Sequence, residues 1–338
     1  MKNDQATIKD IGRSLGISTS TVSRALRGMP DVNPATREAV KELAEKLNYQ
    51  PNLVALSLVK KSTKTIGVII PSFTTYFYSK AITGIQDVAL AAGYHIMVCQ
   101  TNENYKTEIQ NIDMLLSSRV DGIIASITRE TENLDHYANL VKRGIPLVFF
   151  NRTCDFEVPK VVVDDYNGAY KATKHLIETG CKKIAYISGP ENLQLCKNRL
   201  RGFIDAMKDH DVKIHEKLVV YSDFSIESGM ECGKELLKKS IRPDGVFAVC
   251  DTAAYGAMHI FKHNNIKIPE DIAIVGFTNE PFSELIEPAL STISQPVYKI
   301  GRTAAEIFIN IMNEGMNYIP ETRILSTELI IRNSSKRS

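Results

Sequence analysis

The chain has 338 residues, 43% of them hydrophobic and 24% charged, so it is long enough for two or three domains and has the composition of a globular protein. It has no uncharged apolar run near the ~18 residues of a membrane-spanning helix and no secretion signal at its charged start, which excludes a membrane protein and predicts a cytoplasmic one. The six cysteines include no C-x-x-C pair, which argues against a zinc cluster or a disulfide framework, and no metal or cofactor is expected.

Positive charge is concentrated at the N-terminus. Residues 1–61 contain ten Lys and Arg against six Asp and Glu, a balance of +4 that leaves −2 for the remainder of the total of +2. Such an excess alone is weak evidence for nucleic-acid binding, because most charged stretches are simply solvated faces. A recognisable motif has to support it.

Two short helices are predicted close to the N-terminus. Thr7 and Asp10 fit a capping box that begins the first helix, and Gly16 is a permissive turn residue after it. Ser18 offers an N-cap oxygen to the second helix, which Gly28 ends. Two short helices joined by a tight turn are the outline of a helix-turn-helix, whose second helix lays side chains along base edges in the major groove.

The second helix is unusually rich in hydroxyl side chains. Such small donors fit against phosphates and base edges, and Arg24 can make the bidentate contact that favours guanine. Thr19, Ser20 and Arg24 are the expected base readers. The alternative is a capped surface helix with no role in DNA binding. The predicted DNA contacts from this part of the chain are Ser18, Thr19, Ser20, Thr21, Ser23 and Arg24.

A third helix and an apolar segment follow. Asn33 is the expected N-cap of the third helix, with an apolar stripe at Val40, Leu43 and Leu47. Residues 51–61 are too apolar for a plain linker, and a helix this short needs a partner to fold against. The segment is either a packed connector or a hinge helix that orders when two subunits pair over DNA and inserts an apolar side chain into the minor groove.

Four motifs in residues 6–61 are specific when taken together: T-I-K-D-I at 7–11, T-V-S-R at 21–24, T-R at 36–37 and L-N-Y-x-P-N at 47–52. With them the segment closely resembles the N-terminal module of the LacI/GalR family of bacterial transcriptional regulators. The resemblance implies a helix-turn-helix DNA-binding domain at 1–50 and a hinge helix and linker at 51–62. It also implies a homodimer that binds a near-palindromic double-stranded DNA operator.

The same resemblance adds DNA contacts outside the second helix. The family's hinge places a Leu wedge into the central base step, and the matching residue is Leu58. Leu56 stands where the family has Arg, so the contact of that Arg is not carried over. The further contacts implied in this way are Thr7, Asn33, Tyr49, Asn52, Ala55 and Leu58.

Beyond Thr65, strand-like apolar runs alternate with amphipathic helices in units of about 30 residues. Continuous Val/Ile-rich runs predict an α/β fold whose doubly wound parallel sheets are buried on both faces, and the length suits two lobes. A ligand of such sheets binds beyond the carboxyl ends of the strands, here in a cleft between the lobes. The runs lie at 66–70, 94–99, 121–126, 145–150, 183–188, 244–250 and 272–277.

This half of the chain also resembles the family, which shares the two-lobed periplasmic-binding-protein fold. The matching segments are I-S-G-P at 187–190, R-L-R-G-F at 199–203, D-x-x-A-x-G at 251–256 and L-S-T-I-S-Q-P at 290–296. The resemblance implies a ligand-sensing core at 63–338. Its N-lobe would comprise about 63–162 and 293–322, and its C-lobe about 163–292 and 323–338.

The expected effector contacts are led by Arg199 and Asp251, because a guanidinium fork and a carboxylate can clamp vicinal hydroxyls or the edge of a heterocycle. The alternative for each is an interlobe salt bridge or a cap. Ser72 and Thr278 stand where the family commonly has Asp, which weakens the assignment of an unmodified sugar. The predicted effector contacts are Phe77, Asn151, Arg152, Arg199, Asp251 and Thr278.

Two other classes of protein fit the sequence less well. An enzyme would be expected to carry a phosphate-binding loop, a dinucleotide fingerprint, a nucleophile elbow or a His pair at metal spacing, and the sequence has none. An exported solute-binding protein would carry a signal peptide in place of residues 1–61. The sequence therefore predicts a DNA-binding transcriptional repressor whose small-molecule effector is a sugar or sugar derivative, and the direction of the effector's influence stays open.

Overall fold

A computed structural model describes residues 6–50, 62–315 and 318–337. The chain divides into two compact units, Met1–Thr63 and Lys64–Ser338. The predicted hinge contacts Asn52, Ala55 and Leu58 lie outside the described residues. In the described part of the chain, no helix is both long enough and apolar enough to cross a membrane.

The smaller unit contains the three predicted helices: α1 (Ile8–Leu15), α2 (Thr19–Leu26) and α3 (Pro34–Lys46). Thr7 and Asp10 form both hydrogen bonds of the capping box, and Gly16 ends α1 in the left-handed region at φ 66°. Ser18 caps α2 by accepting from the Thr21 N–H at 3.1 Å. The predicted caps and the tight turn between α1 and α2 are therefore confirmed.

The core of this unit is small, and one predicted member of it is wrong. The prediction put Leu47 in the apolar stripe of the third helix, but α3 ends at Lys46, so Leu47 is the exposed cap residue. Ala44 is buried on that face instead, beside Val40. The buried apolar residues of the unit are Ile11, Val22, Ala25, Val32, Val40 and Ala44.

The larger unit begins with alternating strands and helices that form its first lobe, the N-lobe. These elements are β1 (Thr65–Ile70), α4 (Tyr76–Ala91), β2 (His95–Gln100), α5 (Tyr105–Ser117), β3 (Gly122–Ala125), α6 (Asp135–Lys142), β4 (Leu147–Phe150) and β5 (Lys160–Val163). The strands are Val/Ile-rich and mostly buried, as expected of a parallel sheet covered by helices on both faces.

The second lobe, the C-lobe, repeats the pattern. Its elements are α7 (Asp165–Glu178), β6 (Ile184–Ser188), α8 (Gln194–Asp209), β7 (Val219–Tyr221), α9 (Ile226–Lys238), β8 (Gly245–Ala248), α10 (Asp251–His263), β9 (Ala273–Thr278), α11 (Phe282–Leu285) and β10 (Ser291–Ser294). A single 3-10 turn, Glu216–Leu218, precedes β7.

One helix and two strands follow: α12 (Val297–Glu314), β11 (Thr322–Leu325) and β12 (Glu328–Ile330). The strand β11 completes the N-lobe sheet and β12 completes the C-lobe sheet. The N-lobe sheet has the order β11-β5-β4-β3-β1-β2 with parallel pairs throughout. The C-lobe sheet has the order β12-β10-β9-β8-β6-β7, and β12 is antiparallel to β10. The two doubly wound parallel sheets of the prediction are thus observed.

The crossings between the lobes fall a few residues from the expected positions. The N-lobe was expected to resume at about residue 293, yet Ile293 and Ser294 still pair with β9 of the C-lobe. The C-lobe was expected to resume at about 323, yet Arg323 to Leu325 pair with β5 of the N-lobe. In both cases the strand runs to its carboxyl end before the chain crosses, because its backbone hydrogen bonds hold it in the sheet.

In the N-lobe, the helices α4 and α12 pack very closely against each other. A Cβ atom on Gly84 of α4 would collide with the Tyr298 carbonyl, and one on Gly301 of α12 would collide with the Ala81 carbonyl. The two helices approach closely because glycine stands at both points. This contact ties the returning α12 to the first helix of the lobe.

Candidate functional site

Loops at the carboxyl ends of both sheets surround a cavity of about 430 Å³ in the larger unit. This volume lies in the range of small-molecule sites, and its position between the lobes is the one that parallel sheets favour. Loops after β1, β4 and β9 each contribute to the wall. Five of the six residues predicted to contact an effector line it: Phe77, Asn151, Arg152, Arg199 and Thr278.

Asp251, the sixth predicted contact, is not among the lining residues. Its carboxylate is fully buried and accepts hydrogen bonds from Thr292 Oγ1 at 2.6 Å, Ser283 Oγ at 2.7 Å and the Glu280 N–H at 2.8 Å. Burial raises the pKa of Asp251, and these hydrogen bonds oppose that rise. The carboxylate ties the start of α10 to β10 and to the loop after β9, so its role is structural and the predicted ligand contact is wrong.

Arg199 lies at the floor of the cavity and is held firmly. Its Nε and Nη2 contact Oδ1 of Asp165 at 2.8 and 2.7 Å, and its Nη1 donates to the Val249 carbonyl at 2.5 Å. The guanidinium also stacks on Phe277 at 3.6 Å from the ring centroid. A bound molecule would meet a charge that is already neutralised and fixed in place.

Arg152 has a similar environment in the N-lobe. Its Nη1 lies 2.8 Å from both carboxylate oxygens of Glu103, and its guanidinium covers the Phe224 ring at 4.6 Å. The neighbouring Asn151 donates from Nδ2 to the Tyr78 hydroxyl at 3.2 Å. Glu103, which the sequence reasoning missed, follows β2 and could have been found by the same rule that selects residues after parallel strands.

An ion pair between the two lobes lies in the wall of the cavity. Arg129, in the loop after β3 of the N-lobe, contacts Asp223 after β7 of the C-lobe with 3.0 Å between Nη1 and Oδ2. Asn192 of the C-lobe donates from Nδ2 to the Arg129 carbonyl at 2.6 Å. These contacts join the two lobes directly, and the sequence reasoning named none of the three residues.

Two acceptors in the wall have no partner among the described residues. Glu280 is 8% exposed and its carboxylate takes part in no hydrogen bond or ion pair of the described chain. Burial, and then the charge of Asp251, raise the pKa of the Glu280 carboxyl to about 7. Gln295 donates from Nε2 to Thr278 Oγ1 at 3.2 Å, while its buried Oε1 accepts from no described residue.

The smaller unit presents the predicted reading face on α2. Thr19, Ser20 and Arg24 are exposed, and Arg24 forms an ion pair with Asp31 in which both side chains are 48% exposed. Ser18 contacts Ser20 and Thr21 through its hydroxyl, at 2.7 and 2.9 Å.

The other predicted DNA contacts of this unit divide into caps and packing residues. Thr7 and Asn33 are exposed N-caps of α1 and α3. Thr21 and Ser23 are half-buried, and Tyr49 packs against the core of the unit. Thr7 and Asn33 thus reach the surface at helix termini, Thr21 and Ser23 are partly accessible along α2, and Tyr49 is partly buried beyond the end of α3.

Comparisons with known proteins cover almost the whole chain. Residues 7–52 match the profile described as "Bacterial regulatory proteins, lacI family", and residues 63–333 match "Periplasmic binding proteins and sugar binding domain of LacI family". Catabolite control protein A of Priestia megaterium is 33% identical over 311 residues, which cover 91% of this chain and 93% of that protein. The HTH-type transcriptional repressor CytR of Escherichia coli K12 is 32% identical over 334 residues, covering 98% and 96%.

A solved structure of similar architecture is the transcriptional regulator CelR in complex with cellobiose. It superimposes with a TM-score of 0.75 at 28% identity and covers 98% of this chain and 100% of its own. The similarity spans both units.

Proposed function

The chain belongs to the lacI family of bacterial regulatory proteins, and on that premise we propose that it is a transcriptional repressor controlled by a small-molecule effector. The observation that carries the proposal is that one chain combines a helix-turn-helix, with an exposed polar face on α2, and a cavity lined by both lobes of the larger unit. A solute-binding protein would need only the second of these. Catabolite control protein A and the transcriptional repressor CytR, the two relatives named above, favour a DNA-binding regulator over a solute-binding protein.

For the DNA-binding unit, we propose that α2 enters the major groove of a double-stranded operator. Thr19, Ser20 and Arg24 would reach base edges, while the exposed N-cap Asn33 would donate from Nδ2 to a phosphate and Thr7 would do so by redirecting the hydroxyl proton that it now donates to Asp10. A homodimer would place two such helices on the half-sites of a near-palindromic sequence. The hinge residues Asn52, Ala55 and Leu58 remain proposed contacts of the minor groove.

For the effector, we propose the cavity lined by Phe77, Asn151, Arg152, Arg199 and Thr278. Its wall combines aromatic rings with fixed polar groups, which is the composition of sites for small polar molecules. CelR, whose structure was solved in complex with cellobiose, supports a sugar or sugar derivative as the broad class. The effector would bind both lobes at once and so favour one angle between them.

Control of DNA binding would follow from that angle. Because the effector contacts both lobes, its binding free energy can be coupled to any arrangement of two subunits that depends on the lobe angle. We infer a regulatory rather than a catalytic role for this site, and a location in the cytoplasm, where the operator is accessible.

Selection of random double-stranded DNA by the full chain tests the proposal. The selected sites should converge on an inverted repeat, and binding should weaken steeply with salt. Thr19→Ala should relax the base preference at one position of each half-site, whereas Ser14→Ala on α1 should not. Recovery of DNA without any shared sequence would contradict the proposal.

A further inference from the structure

We propose that the effector carries a positively charged amine, which binds to the carboxylate of Glu280. This inference rests on the proposed function, because it assumes that the interlobe cavity is the effector site. It adds the chemical class of the ligand: an aminated polyol or another polar molecule with an ammonium group.

Among the residues that the structure describes, no unpaired cation lines the cavity. An anionic ligand gains affinity from a guanidinium only if that charge is free to pair with it. Each arginine that lines the cavity already contacts a carboxylate of the protein: Arg129 with Asp223, Arg152 with Glu103, and Arg199 with Asp165. An acidic or phosphorylated ligand would therefore have to break an ion pair or accept an uncompensated charge.

Glu280 is fixed in the wall of the cavity. Its backbone N–H is fixed by Asp251 at 2.8 Å, and its side chain lines the cavity while only 8% of the residue is exposed. None of the described residues neutralises its carboxylate, and the nearby negative charge of Asp251 makes its position less favourable. A buried carboxylate without a partner costs free energy, which a cationic ligand would recover on binding.

Glu280 and Gln295 in the cavity wall each have an acceptor to which no described residue donates. Gln295 uses its amide nitrogen on Thr278 and leaves Oε1 buried without a partner among the described residues. Because Gln295 Oε1 has almost no accessible surface, the carboxylate of Glu280 is the acceptor that a ligand meets, and its two oxygens call for a group that donates several hydrogen bonds. An ammonium group offers three donors and no acceptor, which matches this demand.

The remaining wall indicates what the amine is attached to. Hydroxyl side chains line it in both lobes, at Ser72, Thr74, Ser225 and Thr252. Ser225 and Thr252 already donate to Asp223 Oδ1 and to the Phe224 carbonyl, so their oxygens are left as acceptors, which suits a scaffold with several hydroxyls of its own. The combination favours an aminated polyol over a simple alkylamine.

The inference is tested with the full chain in a buffer free of amines. D-glucosamine, D-glucose and D-gluconate are compared first, since they share a carbon scaffold and differ in charge, and a wider panel of amino, neutral and acidic polyols follows. The amino compounds should give the largest thermal stabilisation, by about 2 °C or more. Glu280→Gln should weaken the binding of the best amine about tenfold or more, as measured by calorimetry.

Matched variants keep the result interpretable. Glu227→Gln removes an exposed carboxylate at the rim of the same cavity and should change the affinity less than about twofold. Glu280→Asp keeps the charge and should retain part of the binding, so a folding defect in one variant does not decide the outcome.

Three results would overturn the inference: no amine in the panel binds, an acidic or neutral polyol binds more tightly than every amine, or Glu280→Gln leaves the affinity for the best amine unchanged. Failure of the proposed function is distinguishable. If the proposed function fails, the chain selects no shared DNA sequence. If instead an acidic ligand binds to the wild type and no longer binds to Asn151→Ala, the cavity is still the effector site and only the proposal of an amine is refuted.

Discussion

Arg129 of the N-lobe and Asp223 of the C-lobe form an ion pair in the wall of the cavity, with 3.0 Å between Nη1 and Oδ2. The same arginine also donates to the Asp223 carbonyl at 3.2 Å and accepts from Asn192 through its own carbonyl. A residue of one lobe is thus held by two residues of the other. The pair stabilises the arrangement of the two lobes seen in this structure, in which both lobes line the cavity.

Arg129→Gln is expected to weaken effector binding. The pair is partly exposed, so its contribution is about 0.2–1 kcal/mol, and the Kd of the effector should rise up to about fivefold. Calorimetry with the best ligand of the cavity measures this change, and small-angle scattering should show a wider average lobe separation. Arg302→Gln breaks a pair with Glu306 inside one helix and provides the control. Equal affinities of Arg129→Gln and Arg302→Gln would contradict a role in closure.

Glu280 should make the free protein less stable as the pH rises. Its pKa in the folded chain is raised from 4.5 to about 7, so the folded state holds a proton that the unfolded state has lost between these values. Each pH unit in this window is worth about 1.4 kcal/mol, so the free energy of unfolding should fall by up to about 3 kcal/mol. Above about pH 7 the loss is complete.

Chemical denaturation over a pH series, without ligand or amine buffer, measures this effect. Glu280→Gln should remove the fall while leaving the stability at low pH nearly unchanged, because Gln resembles the protonated acid. The titratable neighbours of Glu280 are Asp251 and Tyr255, both on α10, and they are present in both proteins. Parallel pH profiles for wild type and variant would rule out a perturbed Glu280.

Asp251→Ala is expected to lower the free energy of unfolding strongly while changing the affinity for the effector only slightly. Thr292, Ser283 and the Glu280 backbone all donate to this buried carboxylate. Its removal leaves several buried donors without an acceptor, which should cost about 2–5 kcal/mol in the free energy of unfolding. Asp113→Ala, at an exposed position on α5, is the control. A stability loss no larger than that of the control would restore Asp251 as a candidate ligand contact.

The case of Asp251 shows where sequence reasoning reaches its limit. The pattern of strands places Asp251 at the carboxyl end of β8, and this placement is right. The pattern contains no information on whether the side chain turns into the cavity or back toward the next loop. That depends on the donors supplied by Thr292 and Ser283, which lie 41 and 32 residues away in sequence.

Elements with a local physical cause were predictable. The caps at Thr7, Ser18 and Asn33 follow from side chains that satisfy N–H groups within a few residues. Long Val/Ile-rich strands follow from burial on both faces. Short strands such as β7 and β11 escaped prediction, because they have only three or four residues and lie at sheet edges, where no continuous apolar run is required.

Glu280 and Arg129 escaped prediction for a related reason. Both lie in irregular loops, where no periodicity separates a wall residue from a solvated one. Their importance depends on burial and on partners from other parts of the chain, which only the folded structure supplies. Positional rules for parallel sheets identify the right loops but cannot choose the side chain within each loop.

The ion pair between Arg24 and Asp31 should influence the affinity for the operator. Asp31 follows α2 and holds the guanidinium that we propose as a base reader. To contact DNA, Arg24 must give up its ion pair with Asp31. Asp31 therefore competes with the operator for the guanidinium of Arg24. The pair is half exposed and is therefore worth less than about 1 kcal/mol.

Asp31→Asn is expected to strengthen operator binding about threefold to fivefold at constant salt, because it frees Arg24 and removes a negative charge near the phosphates. Fluorescence anisotropy with the selected operator measures the affinity. Arg24→Ala should weaken binding by about 1–3 kcal/mol and relax the preference at one base pair. In the background of Arg24→Ala, Asp31→Asn should lose most of its effect, since there is no guanidinium left to release.

A control separates release of Arg24 from a general change in charge. Glu45→Gln removes an exposed carboxylate of α3 from the same unit and should alter the affinity less than Asp31→Asn does. If both substitutions strengthen binding equally, and do so with or without Arg24, the effect is purely electrostatic. The ion pair would then have no part in operator recognition, because competition for Arg24 requires that the two substitutions be coupled.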